Sequence, residues 1–384
     1  MKRSTERILT THVGSLARPT DLLDLMKAKV DGEPYDEDAY ARRIPAAVAE
    51  IVRQQAASGI DIVTDGEQSK LGFSSYVNER LDGYEFRPGH IDKDEFSQEL
   101  AAFPEYYERY FAEAMHGGAV TKVDPVVCTG PISYKGLDAL YADIANLKAA
   151  VADVDTEDVF MPAVAPGGGG GNEYYPTEEK YMQAVGEAMR IEYQTIVDAG
   201  FLLQIDDPWM TVVHGDGSLT MEERLKKIEL SVEVLNHSLR GIAPEKVRLH
   251  TCYGINEGPR VHDADLKDIV GIMLKIKAGA YSFEAANPRH EHEYHVWEDV
   301  KLPEGKLIIP GMVAHANNIV EHPELICERI VRFANIVGRE NVIAGSDCGF
   351  STQATYRTEV HPTVVWAKFE AMAEGARLAT EQLW

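Results

Sequence analysis

The chain has 384 residues, of which 45% are hydrophobic and 26% are charged, as in an ordinary globular protein with a large core. The net charge of −24 argues against a nucleic-acid partner, because phosphate binding requires basic patches. The four cysteines, Cys128, Cys252, Cys327 and Cys348, are too few and too scattered for a disulfide-stapled secreted domain.

The first residues of the chain lack the apolar segment of a signal peptide. No apolar run approaches the roughly 18 residues that a membrane span needs. We therefore expect a cytoplasmic protein without a membrane partner.

Apolar runs that suit strands alternate along the chain with patterns that suit helices. The predicted strands are residues 8–13, 60–64, 126–130, 159–164, 201–205, 247–251, 280–284, 307–313 and 341–345. The predicted helices are residues 45–58, 137–151, 178–199, 221–240, 266–278, 323–337 and 362–379. Residues 73–118 are rich in tyrosine, phenylalanine and charge, and they predict an insertion after the second strand.

This alternation indicates a parallel sheet covered by helices, which is an α/β architecture. Eight of the strands with their helices would close a single (β/α)8 TIM barrel over residues 1–384, with the strand 126–130 outside it. A doubly wound open sheet is the alternative. It is less favoured because no Gly-x-Gly-x-x-Gly phosphate loop follows the first strand.

A group of metal-binding residue types lies at the ends of predicted strands. His250 and Cys252 are two residues apart, so in a strand their side chains point to the same face. Glu284 and Cys348 each follow another predicted strand, and strand ends meet at one face of a barrel. Imidazole and thiolate are the ligands that zinc prefers. The four residues therefore predict a zinc site, whose carboxylate could yield its position to an incoming thiol.

Other polar residues occupy the same position on their strands. Glu67 and Asp206 could hold the ammonium group of a substrate. His315 could act as a general acid, because the pKa of histidine lies near neutral pH. Asp207, which precedes a proline, is predicted to cap a turn.

Two further stretches are predicted to be plain loops. The glycine run 167–171 lacks the lysine and hydroxyl residue of a phosphate-binding loop, so a flexible loop at a strand end is favoured. The histidine-rich and charged tract 289–295 is predicted to be a solvated loop rather than a second metal site.

From Thr10 to about Thr352 the chain resembles the cobalamin-independent methionine synthase family, in its C-terminal catalytic barrel. The motifs that carry the resemblance are His250-Thr251-Cys252, then Glu284, then Asp347-Cys348-Gly349. The resemblance implies that His250, Cys252, Glu284 and Cys348 bind zinc. It also implies that Val13, Gly14 and Ser15 hold the carboxylate of the acceptor amino acid, that Glu67 and Asp206 bind its ammonium group, and that His315 protonates the departing group.

The chain departs from the family pattern in two respects. The sequence has no room for the second barrel of the full-length enzymes. The family also has a folate-stacking tryptophan a few residues after a Thr-Gly-Pro strand end, and here Thr129-Gly130-Pro131 is followed by Ile132-Ser133-Tyr134. The departure predicts that methyltetrahydrofolate is a poor donor.

The expected activity is a zinc-dependent transfer of a methyl or other alkyl group to a small thiol, with homocysteine as the first choice. Alkylation of coenzyme M, as in the related zinc enzyme that adds coenzyme M to epoxides, is the alternative. A decarboxylase on the same barrel would not need the two thiolates, and a purely structural zinc barrel would bind no thiol. The expected partners are thus a small thiol and an alkyl donor. The sequence does not determine whether the protein forms a homo-oligomer.

Overall fold

The computed structural model describes residues 1–87, 97–115, 118–121, 126–168, 170–254 and 257–384. Its strands, in chain order, are β1 (Leu9–Thr10), β2 (Ile62–Val63), β3 (Leu81–Phe86), β4 (Val126–Tyr134), β5 (Asp158–Val164), β6 (Gly171–Asn172), β7 (Leu202–Asp206), β8 (Val247–His250), β9 (Ala280–Phe283), β10 (Leu307–Val313) and β11 (Ile343–Ser346).

Eight strands pair in parallel in the order β1-β11-β10-β9-β8-β7-β5-β2. A parallel bridge between Thr11 and Ile62 joins the two ends of this sheet, so the strands form a barrel. The strand β4 lies outside it, in a second sheet of order β3-β4-β6. The predicted (β/α)8 barrel and the exclusion of the strand near residues 126–130 are both confirmed.

Helices cover the outside of the barrel. They are α1 (Thr20–Asp31), α2 (Glu37–Ala57), α3 (Val77–Arg80), α4 (Ser97–Ala102), α5 (Pro104–Tyr110), α6 (Leu137–Val151), α7 (Glu178–Asp198), α8 (Trp209–Gly215), α9 (Met221–Ser238), α10 (Leu266–Met273), α11 (Val296–Asp299), α12 (Pro323–Val337) and α13 (Pro362–Leu383). In the described part of the chain, no helix is both long and apolar enough to cross a bilayer.

Side-chain caps mark the starts of the helices α2, α7, α9, α12 and α13, and the cap of α2 corrects the prediction from sequence. Thr177 caps α7 by accepting a hydrogen bond from Lys180 N–H at 3.2 Å. The prediction that the second helix begins at Pro45 was wrong. Asp36 caps α2 well before that proline, by accepting from Ala39 N–H at 2.8 Å, and Pro45 lies inside the helix. Packing of the helix against the barrel outweighs the proline, which removes only one backbone donor.

The insertion after β2 contains α3, β3, α4 and α5 before the chain reaches β4, which pairs with β3 in antiparallel fashion. Residues 88–96, 116 and 117 of the predicted insertion lie outside the described residues. The glycine run after β5 is not a plain loop, because its last residue begins β6 and pairs with Val127. A side chain at Gly170 would place its Cβ 1.5 Å from the carbonyl oxygen of Val126, so only glycine allows this close approach.

Alternating side chains fill the barrel in layers. An apolar layer at the amino ends of the strands contains Leu9, Ile62, Phe160, Leu202, Ala280, Leu307, Ile309 and Ile343. On β7 the alternation continues from Leu202 to Gln204 and then to Asp206, all of them buried. The polar side chains therefore collect at the carboxyl ends of the strands, where barrel enzymes place their active sites.

Candidate active site

Three of the predicted metal ligands converge at the carboxyl end of the barrel. His250 ends β8, Cys252 follows two residues later, and Cys348 follows two residues after β11. One donor atom from each of these side chains lies within 4.8 Å of the other two. Because the residues belong to two separate strand ends, only the closed barrel brings them together.

The orientation of His250 suits a metal ligand. Its Nδ1 lies 3.2 Å from Ser282 Oγ, while its Nε2 is buried and has no hydrogen-bond partner among the described residues. Burial, followed by the positive charge of Arg248, lowers the pKa of His250 to about 3. The imidazole is therefore neutral at physiological pH and can donate a lone pair from Nε2.

The two thiols lie in contact with each other. The hydrogen bond with Cys252, and after it burial, raise the pKa of Cys348 well above its usual range. A bound dication reverses this preference, because thiols that coordinate a metal lose their protons. One imidazole and two thiols are a donor set that fits zinc and leaves a position open, as catalytic zinc sites require.

Glu284 follows β9 directly but is not a member of the His250, Cys252 and Cys348 group. Its Oε2 accepts a hydrogen bond from Asn287 Nδ2 at 2.8 Å and lies 2.8 Å from Arg260 Nη2. Burial raises the pKa of Glu284 to about 7, although Arg260 opposes the shift. The predicted role of Glu284 as the fourth ligand stays a prediction.

Glu67 and Asp206 form a second group, made of buried carboxylates. Burial raises the pKa of both residues, and the charge of Glu67 raises that of Asp206 further. Gln204 Nε2 donates to Asp206 Oδ1 at 2.8 Å, which fixes the direction of that carboxylate. Within the described part of the chain, no ion pair joins either carboxylate to a cation, although the charge of Lys70 partly offsets the rise in the pKa of both. The pair is therefore ready to receive a positive charge from a ligand.

The predicted carboxylate-binding segment is fixed beside this pair. Val13 N–H donates to Ser346 Oγ at 3.2 Å, and Ser15 O accepts from Phe350 N–H at 3.0 Å. Gly14 has φ 143°, and a Cβ at this position would meet Glu67 Oε1 at 3.4 Å. The glycine thus lets the segment pass close to the carboxylate pair.

His315 lies two residues after β10 and is buried. Burial lowers its pKa well below the usual value, and the charge of Arg260 adds to this effect. The neighbouring Asp347 lies within 4.8 Å of His315 and Glu284, but its carboxylate accepts hydrogen bonds from Ala285 N–H and Asn287 N–H. Asp347 therefore orients the turn that carries Glu284.

A cavity opens above these groups. It is lined by eight of the residues predicted from the sequence, namely Val13, Ser15, Glu67, Asp206, His250, Cys252, His315 and Cys348. Gly14 and Glu284 are not part of its lining. Phe73, Phe350 and Arg357 line its outer wall and were not predicted, because they lie on loops whose sequence has no periodic pattern.

Two predictions about nearby residues have opposite outcomes. Asp207 caps a turn as predicted, since its Oδ1 accepts from Trp209 N–H at 3.1 Å. The prediction of a solvated loop at 289–295 was wrong for His290 and Glu293, which are buried. The two ring nitrogens of His290 lie within hydrogen-bond distance of the carboxylates of Asp263 and Glu293, which accept from them, so its polar atoms are satisfied inside the protein.

The sequence matches known proteins over most of its length. The family described as "Cobalamin-independent synthase, Catalytic domain" matches residues 173–368, which is just over half of the chain. The methionine synthase of Sulfolobus acidocaldarius is 25% identical over 344 residues, which cover 88% of this chain and 85% of that protein. The methionine synthase of Pyrococcus abyssi is 22% identical over 381 residues, which cover 97% of this chain and 93% of that protein.

Solved structures share the fold. A B12-independent methionine synthase from Shewanella sp. W3-18-1, in complex with selenomethionine, superposes with a TM-score of 0.72 at 17% identity and covers 98% of this chain and 99% of that one. The putative vitamin-B12 independent methionine synthase from Listeria monocytogenes gives a TM-score of 0.66 at 20% identity, with the same coverage. The motif-based assignment is thereby confirmed, and the chain belongs to the cobalamin-independent methionine synthase family.

Proposed function

We propose that this protein transfers a methyl group to the sulfur of homocysteine, with zinc held by His250, Cys252 and Cys348 and with Glu284 as an exchangeable fourth ligand. The observation that carries the proposal is that one cavity contains both a zinc-type donor set and two buried carboxylates that form no ion pair with any described residue. Homocysteine carries a thiol at one end and an ammonium group at the other. The names of the curated relatives, which are methionine synthases, agree with this acceptor.

Zinc in this position would keep an acceptor thiol deprotonated at neutral pH. The residues of the chain bind and orient the rest of the acceptor. Glu67 and Asp206 would pair with its ammonium group, and Val13 to Ser15 would hold its carboxylate. Since hydrogen bonds fix Asp206 and the segment at Val13, the sulfur would be presented to the donor in one orientation.

In the transfer, the acceptor sulfur forms a bond to the methyl carbon while the bond between that carbon and the donor breaks. The electron pair of the broken bond stays on the donor atom, which then takes up a proton. His315 lines the cavity and would supply that proton. Because burial lowers its pKa, His315 is neutral in the empty site, and it would have to gain its proton when the donor binds.

The donor side of the cavity supports the expectation that methyltetrahydrofolate is a poor donor. The tyrosines that could replace the missing tryptophan do not line the cavity. Tyr134 donates to Glu192 Oε2 at 2.5 Å, and Tyr175 accepts from Ile132 N–H at 2.9 Å, so both rings are held elsewhere. Stacking on an aromatic ring contributes about 0.5–1.5 kcal/mol beyond area burial, and a pterin would lose this contribution here.

A turnover assay on the zinc-loaded protein tests the proposal. Homocysteine and coenzyme M would each be offered with iodomethane, which needs no donor site, and with mono- or polyglutamylated methyltetrahydrofolate. We expect faster S-methylation of homocysteine than of coenzyme M with iodomethane, and turnover below about 1 s⁻¹ with either folate. A preference for coenzyme M would contradict the proposed acceptor, and fast folate turnover would contradict the donor prediction.

One observation favours the alternative acceptor, coenzyme M, which carries a sulfonate. Arg357 lines the outer wall of the cavity, and its guanidinium could pair with a sulfonate. The same arginine would equally suit an anionic group of the donor. The carboxylate pair of Glu67 and Asp206 would repel a sulfonate close to the metal site, and for this reason homocysteine is favoured.

A further inference from the structure

The loop that follows Cys252 carries a buried arginine that the proposed reaction does not use. Arg260 is 4% exposed and has φ 54°, in the left-handed region that residues other than glycine rarely adopt. A strained backbone of this kind persists only where the surrounding contacts enforce it, and it is common at functional sites. The conformation brings the guanidinium group of Arg260 into contact with Glu284.

Arg260 contacts two carboxylates and one aromatic ring. Its Nη2 lies 2.8 Å from Glu284 Oε2, and its Nε donates to Asp263 Oδ2 at 2.7 Å. The guanidinium carbon lies 5.3 Å from the centre of the Tyr253 ring. One arginine therefore serves two acidic partners, and it would remain paired through Asp263 if Glu284 moved away.

A second set of contacts, made by His290, holds the residues that Arg260 contacts besides Glu284. His290 Nε2 lies 3.0 Å from Asp263 Oδ2, and His290 Nδ1 lies 2.8 Å from Glu293 Oε2. The rings of His290 and Tyr253 are stacked, with their centres 4.0 Å apart. Asp263 and Tyr253 are thus held in place, so Arg260 stays in position whichever partner Glu284 has.

Glu284 is the residue that would change partners. It is 2% exposed, and it lies beside the donor group of His250, Cys252 and Cys348 without being part of it. If it ligates the metal before an acceptor arrives, the incoming sulfur displaces a buried carboxylate. An unpaired buried charge is strongly unfavourable, so the displaced carboxylate needs a cation within reach.

We propose that Arg260 is a positioning residue that receives Glu284 when the acceptor sulfur takes its place at the metal. In this exchange Glu284 would give up its place as a ligand to the acceptor sulfur and pair with Arg260, and the thiol proton would pass to solvent. After the product leaves, Glu284 would again be available to hold the metal, while Arg260 would stay paired with Asp263. The proposal rests on the proposed function, because it assumes zinc and a thiol acceptor at this site.

Cobalt-substituted protein gives a readout that does not depend on turnover. The parent, Arg260→Gln, Glu284→Gln and the double variant would be compared for metal affinity by chelator competition. Their homocysteine affinity would be followed by the sulfur-to-cobalt absorption band. Arg260→Lys serves as the conservative variant. Arg289→Gln is the matched control, since Arg289 is exposed and donates to Val261 O in the same loop at 3.1 Å without touching Glu284.

We expect Arg260→Gln to bind the metal about tenfold more tightly and homocysteine about tenfold more weakly, because Glu284 then keeps its hydrogen bond from Asn287 but has no cation other than the metal to pair with. Both effects should vanish when residue 284 is glutamine, and Arg260→Lys should restore part of the parent behaviour. Arg289→Gln should match the parent.

Two results would overturn the proposal. The first is that Arg260→Gln changes neither affinity, and the second is that its effects are equally large in the Glu284→Gln background, which would indicate loop packing alone. A parent protein that binds cobalt without any spectral response to homocysteine would instead contradict the proposed function. In that event the metal-affinity comparison still tests whether Arg260 and the metal compete for Glu284.

Discussion

Replacement of His250 or Cys348 by alanine is expected to weaken zinc binding by roughly 100-fold or more and to abolish thiol methylation. Each change removes one of the three donor atoms that lie within 4.8 Å of one another. The two remaining donors of this group, together with the exchangeable Glu284, should not hold zinc against a competing chelator. Metal analysis after dialysis against a weak chelator, followed by competition titration, would measure the loss.

The matched control for this prediction is Cys128→Ala. Cys128 is as deeply buried as Cys348, but it lies on β4 outside the barrel and is not part of the donor group. We expect the control to keep one zinc per chain. Retention of zinc by both His250→Ala and Cys348→Ala would show that the metal is held elsewhere.

The Asp206→Asn variant is expected to bind homocysteine roughly 30- to 100-fold more weakly while keeping its zinc. The change removes one of the two charges that would face the ammonium group, and hydrogen bonds to charged groups contribute about 1.5–3 kcal/mol. Calorimetric titration of the zinc-loaded protein with homocysteine would give the affinity.

The same variant should be as stable as the parent or more stable in the absence of substrate. Burial and the neighbouring charge of Glu67 raise the pKa of Asp206, so the ionised carboxylate is unfavourable in the empty site. Asp207→Asn is the control, since Asp207 only caps a turn and should leave homocysteine affinity unchanged. A fall in thermal stability of Asp206→Asn with normal affinity would assign Asp206 a structural role.

The strands and helices were predictable because the hydrophobic pattern of each segment matches the element that the segment forms in the barrel. The helices α6 and α12 have the bounds that their periodicity predicts, and the barrel strands carry apolar runs of strand length. The start of α2 was missed because the cap at Asp36 lies before a segment in which Pro45 suggests a boundary. The hydrophobic pattern did not predict this helix start, because packing of α2 against the barrel decides whether the helix continues through Pro45.

In the active site, strand-end position predicted that His250, Cys252, Cys348, Glu67 and Asp206 lie close together, and all five line one cavity. Arg260, by contrast, could not be predicted. It lies on an irregular loop, and its importance comes from contacts with Glu284 and Asp263 that only the folded chain creates. The chain has 38 lysine and arginine residues, so a positive charge alone does not distinguish Arg260 from the others.

The central claim is that an acceptor sulfur joins the metal held by His250, Cys252 and Cys348. X-ray absorption at the zinc edge, recorded before and after addition of homocysteine, tests it most directly. The account predicts two sulfur neighbours, from Cys252 and Cys348, in the zinc-loaded protein and three after homocysteine binds. Tight homocysteine binding with the sulfur count unchanged would contradict it.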